Sequence, residues 1–321
     1  MSRNVNYSKM ITISDSKLQQ RKKRIRTAIF QHWQLYLLLV LPLTWVLIFK
    51  YYPMYGLQIA FKDYVMKLGF WGSEWVGLKY FKTFIGSHYF PRLIGNTMLI
   101  SCYSIVAGFF PPIILAIIIN ECKSRWFKKS VQLITYAPHF LSTVVIVSIL
   151  TQVLSLHGFV NSMISAIGLE PVSFLSESRY FKSIYVWSGI WQNVGYSSII
   201  YISALSGINP ELYEAAIIDG ANIWKRIYYV DLPGILPTAI ILLILSTARI
   251  LDVGFEKVYL MQNPLNMRAS DVISTYTYRV GLVDMNYSMS TAIGLFQSSI
   301  SLVLITVVNK ISSKLSDTSL W

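Results

Sequence analysis

Six long apolar runs decide what this chain can fold into. Crossing the roughly 30 Å hydrocarbon core of a bilayer takes about 20 mostly apolar residues in a helix. Backbone N–H and C=O groups that lie in lipid must find partners within their own segment, so each run is expected to be helical. We therefore predict an all-α, polytopic membrane protein with six transmembrane helices, at Gln34–Phe49, Asn96–Ile119, Leu133–Leu154, Ser183–Ala204, Ile235–Leu251 and Ser290–Val308.

The composition supports a membrane protein and excludes an ordinary soluble domain. Hydrophobic residues make up 54% of the chain, charged residues only 13%, and the mean hydropathy is +0.49. A soluble domain carries roughly 25% charged residues. The formal net charge of +13 could suggest nucleic acid as a partner. The chain has no basic and aromatic patch on a polar fold, however, so we expect contact with anionic lipid headgroups and not with nucleic acid.

The positions of lysine and arginine predict the orientation. The side that holds the N-terminus, the connections between the second and third and between the fourth and fifth runs, and the tail carries 16 Lys and Arg residues, against 11 on the opposite side, whose loops are much longer. Because cytoplasmic loops are enriched in Lys and Arg, we expect a multi-pass protein of the cell membrane with both termini in the cytoplasm. We divide the chain into a basic cytoplasmic segment with an interfacial helix (1–32), a six-helix transmembrane domain (33–309) and a cytoplasmic tail (310–321).

The connection between the fourth and fifth runs, residues 209–233, carries strong local signals. An Asn-Pro pair at 209–210 can cap and start a helix. An Asp-Gly pair at 219–220 is a break signal, because glycine readily takes the left-handed conformation that ends a helix. We predict two short helices on the cytoplasmic face, the second over Ala221–Tyr229 and ended by Pro233.

This connection resembles the signature loop of ABC-importer permeases. Glu214-Ala215-Ala216 is followed by Gly220 after three residues and by Val230-Asp231-Leu232-Pro233 after nine more, at that family's full spacing. Other stretches are similar to the polysaccharide- and oligosaccharide-uptake permeases of Gram-positive bacteria; they include Tyr55–Tyr64, Trp75–Leu78, Tyr136–Phe140, Asp219–Ala221 and Ser319–Trp321. The resemblance runs from about residue 34 to the C-terminus and implies a type I ABC importer permease fold.

The resemblance also implies a mechanism and partners. In that family the two helices of the loop dock in a cleft of the ATPase, which assigns ATPase coupling to Glu214, Ala215, Ala216, Asp219, Gly220, Leu232 and Pro233. The implied partners are a second, homologous permease subunit, two ATPase subunits and an extracellular lipid-anchored solute-binding protein. The implied cargo is an oligosaccharide, often derived from plant or algal polysaccharides. No cofactor is expected on this chain, since ATP and Mg would bind the partner ATPase.

The fourth run is the most polar of the six, which suggests that one face meets a cavity or a partner helix. Sugar sites pair aromatic faces with amide and hydroxyl groups. We therefore consider a substrate pathway lined by Trp187, Trp191, Gln192, Asn193 and Tyr196, with Gln297 from the sixth run. The alternative is that the tryptophans anchor at the membrane interface and that this face packs on the partner permease. The residues alone leave both readings open.

Two other classes of membrane protein fit the residues less well. A secondary transporter normally has acidic residues or broken helices at mid-membrane, and the six runs contain no Asp or Glu. A membrane enzyme needs a cluster of nucleophile, base or metal ligands. We find none, and predict no catalytic residue and no metal site. The chain also has no Gly-rich phosphate loop followed by Lys-Ser or Lys-Thr, so ATP is not expected to be hydrolysed on it.

Overall fold

The computed structural model describes residues 31–315, and the chain divides into two units, Met1–Gln58 and Ile59–Trp321. The described part of the first unit is helical. Helix α1 (Trp33–Val46) continues through a π-helical turn, Leu47–Tyr51, into a 3-10 stretch that begins at Tyr52. The interfacial helix proposed for residues 1–32 lies almost wholly outside the described residues, so it stays a prediction.

The second unit is built from helices and one short hairpin. In chain order the elements are β1 (Lys62–Asp63), α2 (Gly69–Gly72), β2 (Glu74–Trp75), α3 (Lys79–Ile85), α4 (Phe90–Glu121), α5 (Arg125–Tyr136), α6 (Thr143–Val153), α7 (Phe159–Ala166), α8 (Ser178–Ser206), α9 (Pro210–Ile218), α10 (Ile223–Arg226), α11 (Leu232–Ala248), α12 (Phe255–Met261), α13 (Met267–Ser270), α14 (Ile273–Tyr278) and α15 (Tyr287–Leu315). Strands β1 and β2 pair antiparallel, with Lys62 opposite Trp75.

Four helices of the described chain are long and apolar enough to cross a membrane. They are Trp33–Phe61, Phe90–Glu121, Ile223–Ala248 and Tyr287–Lys314. Counting the bent pair described next as one broken span brings the number to five. Helix α8 occupies the fourth predicted span and has 29 residues. It falls outside this set because its polar residues lower its hydropathy. Four of the six predicted spans are thus met by length and composition, and a fifth only as a broken span.

The third predicted span is wrong as a single helix. Helix α5 passes into a 3-10 turn, Ala137–Phe140, and α6 then starts at an angle of 101°. Pro138 lies in this turn, where its missing N–H and its ring disfavour continuation of the α-helix. Ser142 then caps the new helix, because its hydroxyl accepts a hydrogen bond from the N–H of Val145 at 3.4 Å.

The expectation that Pro233 ends a helix is also wrong. Helix α10 runs through a π-helical turn, Ile227–Asp231, directly into α11. In the π turn the N–H of Leu232 bonds to the carbonyl of Ile227, five residues back. This wider turn makes room for the ring of Pro233, which sits in the first turn of α11 where its missing N–H does least harm.

Helices α4 and α8 form the centre of the second unit. Buried apolar side chains extend along their length in three clusters, which contain Leu93, Ile100 and Ala116 of α4. At Gly195 of α8 the backbone of α5 comes so close that an added Cβ would overlap the carbonyl of Thr135. Close packing of α5 against α8 therefore helps to hold α8 in place.

A buried carboxylate fixes the N-terminal end of α4. Asp271 has no exposed surface, and its oxygens lie 3.2 Å from Nη2 of Arg92 and 3.0 Å from Nη2 of Arg279. The amide of Asn96 donates to the main-chain oxygen of Asp271 at 3.0 Å. Since one carboxylate pairs with two guanidinium groups, it joins the start of α4 to the end of α14.

Candidate functional sites

The 209–233 loop begins with a well-formed helix start. The Oδ1 of Asn209 accepts a hydrogen bond from the N–H of Glu211 at 3.1 Å, and Pro210 occupies the first helical position. Glu211 adds a carboxylate to the first turn of α9, where it faces the positive end of the helix dipole. The local sequence thus specifies where α9 starts, as predicted.

Helix α9 ends in a left-handed turn at Gly220. Its φ is +71°, a conformation that costs an L side chain energy. The N–H of Ala221 bonds to the carbonyl of Ala216 at 2.8 Å, and the N–H of Gly220 to that of Ile217 at 3.0 Å. These two bonds form a Schellman motif. The side chain of Asn222 then accepts a hydrogen bond from the N–H of Lys225 at 3.0 Å and starts the second helix.

A hydrogen bond ties α9 to the foot of α11. The hydroxyl of Tyr213 donates to Oδ1 of Asp231 at 2.5 Å, and Asp231 is completely buried. Burial, followed by the bond to Asp231, raises the pKa of the Tyr213 phenol, so the phenol stays a donor at neutral pH. The other carboxylate oxygen of Asp231 is buried without a partner among the described residues. The bond to Tyr213 is therefore the main compensation for burying that carboxyl.

An ion pair ties the second helix of the loop to the C-terminal end of α4. The Nη2 of Arg226 lies 2.8 Å from Oε2 of Glu121. The side chains of these residues are only 23% and 15% exposed, respectively. Bonds between ionised partners at this distance are strong where water has limited access. Both halves of the 209–233 loop are thus joined to long helices of the unit.

The outer surface of the loop is apolar and uncovered. Ile218 is 84% exposed and Trp224 is 74% exposed, and Leu212 and Ile217 also lie open. Scattered exposed leucines are normal, but a cluster of large apolar side chains on one short segment is typical of an interaction surface. The predicted coupling residues Glu214, Ala215, Asp219, Gly220, Leu232 and Pro233 are exposed, and Ala216 is half-buried.

The polar face of α8 brings two of its predicted residues together at one cavity. Gln192 and Asn193 both line a space of about 310 Å³ between α4 and α8. The amide of Gln192 donates to the carbonyl of Leu141 at 3.3 Å, and Oδ1 of Asn193 lies 2.9 Å from Nδ1 of His139. The ring of His139 stacks on Tyr196 at 3.9 Å. The amide nitrogen of Asn193 also donates to the carbonyl of Gly189 at 2.9 Å, so these bonds hold both amides in place at the wall of the cavity.

The other predicted pathway residues lie apart from this cavity. Trp187 donates its indole N–H to the hydroxyl of Tyr103 at 2.8 Å, and Trp191 is 48% exposed. Tyr196 is 48% exposed and does not line the cavity. Gln297 lines a different cavity, of about 610 Å³, and donates to the carbonyl of Leu251 at 2.6 Å. The geometry thus places Gln192 and Asn193 at one cavity, although Asn193 is also exposed, and places the three aromatic residues and Gln297 outside it.

Sequence reasoning missed the lysine at the same cavity. The sequence alone assigns no role to Lys257, but it is only 8% exposed and lines the cavity of Gln192 and Asn193. Burial lowers the pKa of Lys257 to about 8. One feature of the sequence could have indicated that Lys257 is buried. Lys257 and Met261 are four residues apart, which places both on the same face of a helix. Helix α12 is too short for that pattern to stand out.

No group of three or more His, Cys, Asp or Glu side chains in residues 31–315 is arranged to hold an ion.

A family match covers most of the second unit. Residues 112–317 match the family described as "Binding-protein-dependent transport system inner membrane component". The matched stretch includes α8, the 209–233 loop and α15.

Similar proteins extend the likeness to nearly the whole chain. Protein LplB of Bacillus subtilis (strain 168) is 42% identical over 288 residues, which are 89% of this chain and 91% of LplB. The polygalacturonan/rhamnogalacturonan transport system permease protein YteP of the same organism is 36% identical over 304 residues, which are 94% of this chain and 95% of YteP.

A solved structure has the same fold. One chain in the crystal structure of a bacterial alginate ABC transporter, in complex with an alginate pentasaccharide-bound periplasmic protein, superposes with a TM-score of 0.84. The two chains are 41% identical, and the match covers 92% of this chain and 99% of the other.

Proposed function

This chain belongs to the family of binding-protein-dependent transport system inner membrane components, and from that premise we propose how it works. It is a multi-pass membrane permease of a sugar or oligosaccharide ABC importer, and as such it is not itself an enzyme. We propose that it moves an oligosaccharide across the cell membrane by alternating access, and that a separate ATPase drives it through the 209–233 loop.

The observation that carries this proposal is the way the loop is built. It presents an apolar surface, with Ile218 and Trp224 outward, and is joined to the helices behind it by two polar contacts. Tyr213 binds Asp231 at the foot of α11, and Arg226 binds Glu121 at the end of α4. A partner that binds this surface could move both α4 and α11. Breaking either contact would leave a buried polar group without its hydrogen-bond partner, which is costly.

The proposed motion follows from these contacts. ATP and Mg bind the ATPase pair, which closes and pulls on the loop and on its counterpart in a second, homologous permease. The helices then turn the pathway from the outside to the inside, and hydrolysis resets it. The coupling roles of Glu214, Ala215, Ala216, Asp219, Gly220, Leu232 and Pro233 remain part of this proposal. All of these residues except the half-buried Ala216 are exposed, which suits docking.

The names of the similar proteins narrow the proposed cargo. YteP is described as a polygalacturonan/rhamnogalacturonan permease, and the solved neighbour as an alginate transporter. We propose an oligosaccharide derived from a plant or algal polysaccharide. We propose that an extracellular, lipid-anchored solute-binding protein delivers it; the periplasmic protein in the alginate structure supports delivery by a binding protein.

The proposed orientation places the 209–233 loop and both termini in the cytoplasm. The distribution of Lys and Arg supports this orientation, because cytoplasmic segments are enriched in these residues. The same orientation lets a cytoplasmic ATPase reach the loop. Within the membrane, the cavity of Gln192 and Asn193 is the proposed pathway. The exposed rings of Trp187, Trp191 and Tyr196 fit contact with the partner permease or lipid better than contact with the sugar.

Oligosaccharide uptake by the whole importer, reconstituted in proteoliposomes, tests the proposal. Glu214→Lys and Gly220→Asp should abolish ATP-dependent uptake while the chain still inserts in the membrane. Loss of ATPase binding to the assembled permease pair should accompany this effect. Normal uptake by both variants would rule out coupling through this loop.

A further inference from the structure

Lys257 is a buried cation at the cavity that the proposed pathway uses. It belongs to α12, between the last two spans, and its neighbours Val258 and Met261 lie in an apolar core with Phe181. Only 8% of Lys257 is exposed. Lysine is almost never this buried unless its ammonium has a partner, because transfer of an ammonium from water costs several kcal/mol. The partners of this ammonium therefore need an account.

The partners present are neutral. The Nζ of Lys257 donates to the carbonyl of Tyr185 at 3.1 Å and lies 4.9 Å from the centre of the Tyr185 ring. Among the described residues, no Asp or Glu oxygen lies within the 4.0 Å of an ion pair with this ammonium. An ammonium has three N–H donors, and a single carbonyl uses one of them. Lys257 thus keeps donor capacity and an uncompensated charge.

The remaining space beside this charge is a polar cavity of about 310 Å³. Its polar lining consists of Ser104, Tyr185, Gln192, Asn193, Ser197 and Lys257, with no carboxylate in the wall. A volume of this size is within the range of small-ligand sites. Amide and hydroxyl groups suit sugar hydroxyls, and a single cation among them suits one negative charge on the sugar.

The other charges nearby offset each other. Arg249 and Asp252 both line an adjoining cavity of about 160 Å³, which shares Ser104 and Tyr185 with the first. Both also line the cavity of Gln297. The formal charges of Arg249 and Asp252 cancel along this stretch, so Lys257 supplies the net positive charge.

We propose that Lys257 binds the carboxylate of a sugar acid in the pathway and gives the importer its preference for acidic over neutral oligosaccharides. The proposal rests on the proposed function, since it names the substrate class of the same pathway. Lys257 would bind each sugar acid through a charge-assisted hydrogen bond in a place with little water. Gln192 and Asn193 would bind neighbouring hydroxyl groups. A substrate carboxylate would supply the partner that the protein itself does not.

The test uses pairs of substrates that differ only in charge. The probes are galacturonate and mannuronate trisaccharides and the methyl esters of both, which keep the ring and lose the charge. Uptake is measured in proteoliposomes that contain the complete importer. We expect the wild type to take up at least one acid faster than its ester. Lys257→Met should lower the uptake of that acid roughly 10- to 100-fold, the range for loss of a hydrogen bond to a charged group.

Three controls separate binding of charge from structure. Lys257→Arg should keep most of the preference for the acid over its ester, because the positive charge remains. If Lys257 had only a structural role, this preference would not depend on the charge at position 257. Lys310→Met removes an exposed lysine that does not line the cavity and should change neither rate. Assembly of the complex should be unchanged in Lys257→Met, since removal of a buried unpaired charge need not destabilise a protein.

The outcomes divide cleanly. Equal uptake of the acid by the wild type and Lys257→Met would overturn the role of Lys257 and leave the proposed function intact. Preferred uptake of the esters by the wild type would do the same. A wild type that takes up no oligosaccharide, acidic or neutral, would instead overturn the proposed function.

Discussion

The hydroxyl of Tyr213 donates a 2.5 Å hydrogen bond to the buried carboxyl of Asp231, eighteen residues further along the chain. Helix α9 and the foot of α11 therefore cannot separate without leaving a buried carboxyl oxygen unpaired. A short surface helix usually depends on its own caps for position. Here a side chain on its inner face also fixes it to a long helix, which makes the contact a place to test coupling.

Removal of this hydroxyl should loosen the loop without removing its docking surface. In Tyr213→Phe the ring stays and the bond is lost, which we expect to destabilise the local structure by about 1–3 kcal/mol. Uptake should fall several-fold while ATP hydrolysis continues, measured together on one proteoliposome preparation. Tyr228→Phe, on an exposed tyrosine of the same loop, is the matched control. A parallel fall of uptake and hydrolysis would argue against this role.

The ion pair between Arg226 and Glu121 should show coupling in a double-mutant cycle. Removal of one partner leaves a partly buried charge unpaired, so Glu121→Gln or Arg226→Met should each cost about 1–3 kcal/mol of stability. The double variant should cost less than the sum of the two. Thermal unfolding of the assembled complex in detergent measures all four species. Strict additivity would mean that the 2.8 Å contact contributes nothing.

Gly220 should resist even the smallest side chain. Its φ of +71° penalises an added Cβ, so Gly220→Ala should lower the stability of the loop by about 1 kcal/mol. Gly207 ends α8 with a φ of −87°, and an added Cβ there meets nothing closer than 3.4 Å. Gly207→Ala is therefore the control and should be nearly neutral. Protection of loop amides from hydrogen exchange is the measurement. Equal protection in the two variants would contradict this account.

Close packing of α8 on α5 should make Gly195 intolerant of alanine. An added Cβ there overlaps the backbone of Thr135, which cannot move aside as a side chain could. We expect Gly195→Ala to cost about 1–3 kcal/mol through overpacking. Gly95→Ala in α4 meets nothing within 4 Å and should be neutral or slightly stabilising. The yield of folded complex from membranes measures the difference, and equal yields would refute it.

Uptake of an acidic oligosaccharide should depend on pH through Lys257. Burial lowers its pKa from 10.5 to about 8, so the ammonium is present below that pH and is lost as the pH rises through it. Acid uptake should therefore be level near pH 7 and fall above about 8. The other titratable groups beside it are Tyr185 and, at the adjoining cavity, Arg249 and Asp252.

The control for this pH dependence is Lys257→Arg, which keeps its charge throughout the range and should remove the fall. Uptake of the neutral methyl ester should be flat for both proteins. A fall of the ester's uptake on the same curve would place the titration elsewhere in the importer.

The sequence was most informative where the physics is local. Asn209, the Asp-Gly pair at 219–220 and the apolar runs specify their structures within a few residues, because caps and membrane burial depend on nearby atoms. The break at Pro138 and the continuous helix through Pro233 were misjudged for a related reason. A proline can end a helix or begin one, and the π turn that decides the matter at Pro233 leaves no clear mark in the residues.

The sequence was least informative where distant segments meet. Arg92 and Asp271 are 179 residues apart along the chain, and Lys257 and Tyr185 are 72 apart. Nothing in the composition of either segment indicates its partner. The sequence therefore does not distinguish Lys257 from other lysines, and only the fold shows that it lies at the cavity of Gln192 and Asn193.

Helix α4 is held at both ends, and this makes it a lever arm. Arg92 binds Asp271 near one end of α4, and Glu121 binds Arg226 at the other end. Both Arg92 and Glu121 belong to this one continuous helix of 32 residues. At 1.5 Å per residue its length is about 48 Å, so a tilt of about 5° displaces one end relative to the other by about 4 Å. A small rotation started at the loop would thus reach the opposite side of the membrane as a shift comparable to the width of a sugar ring.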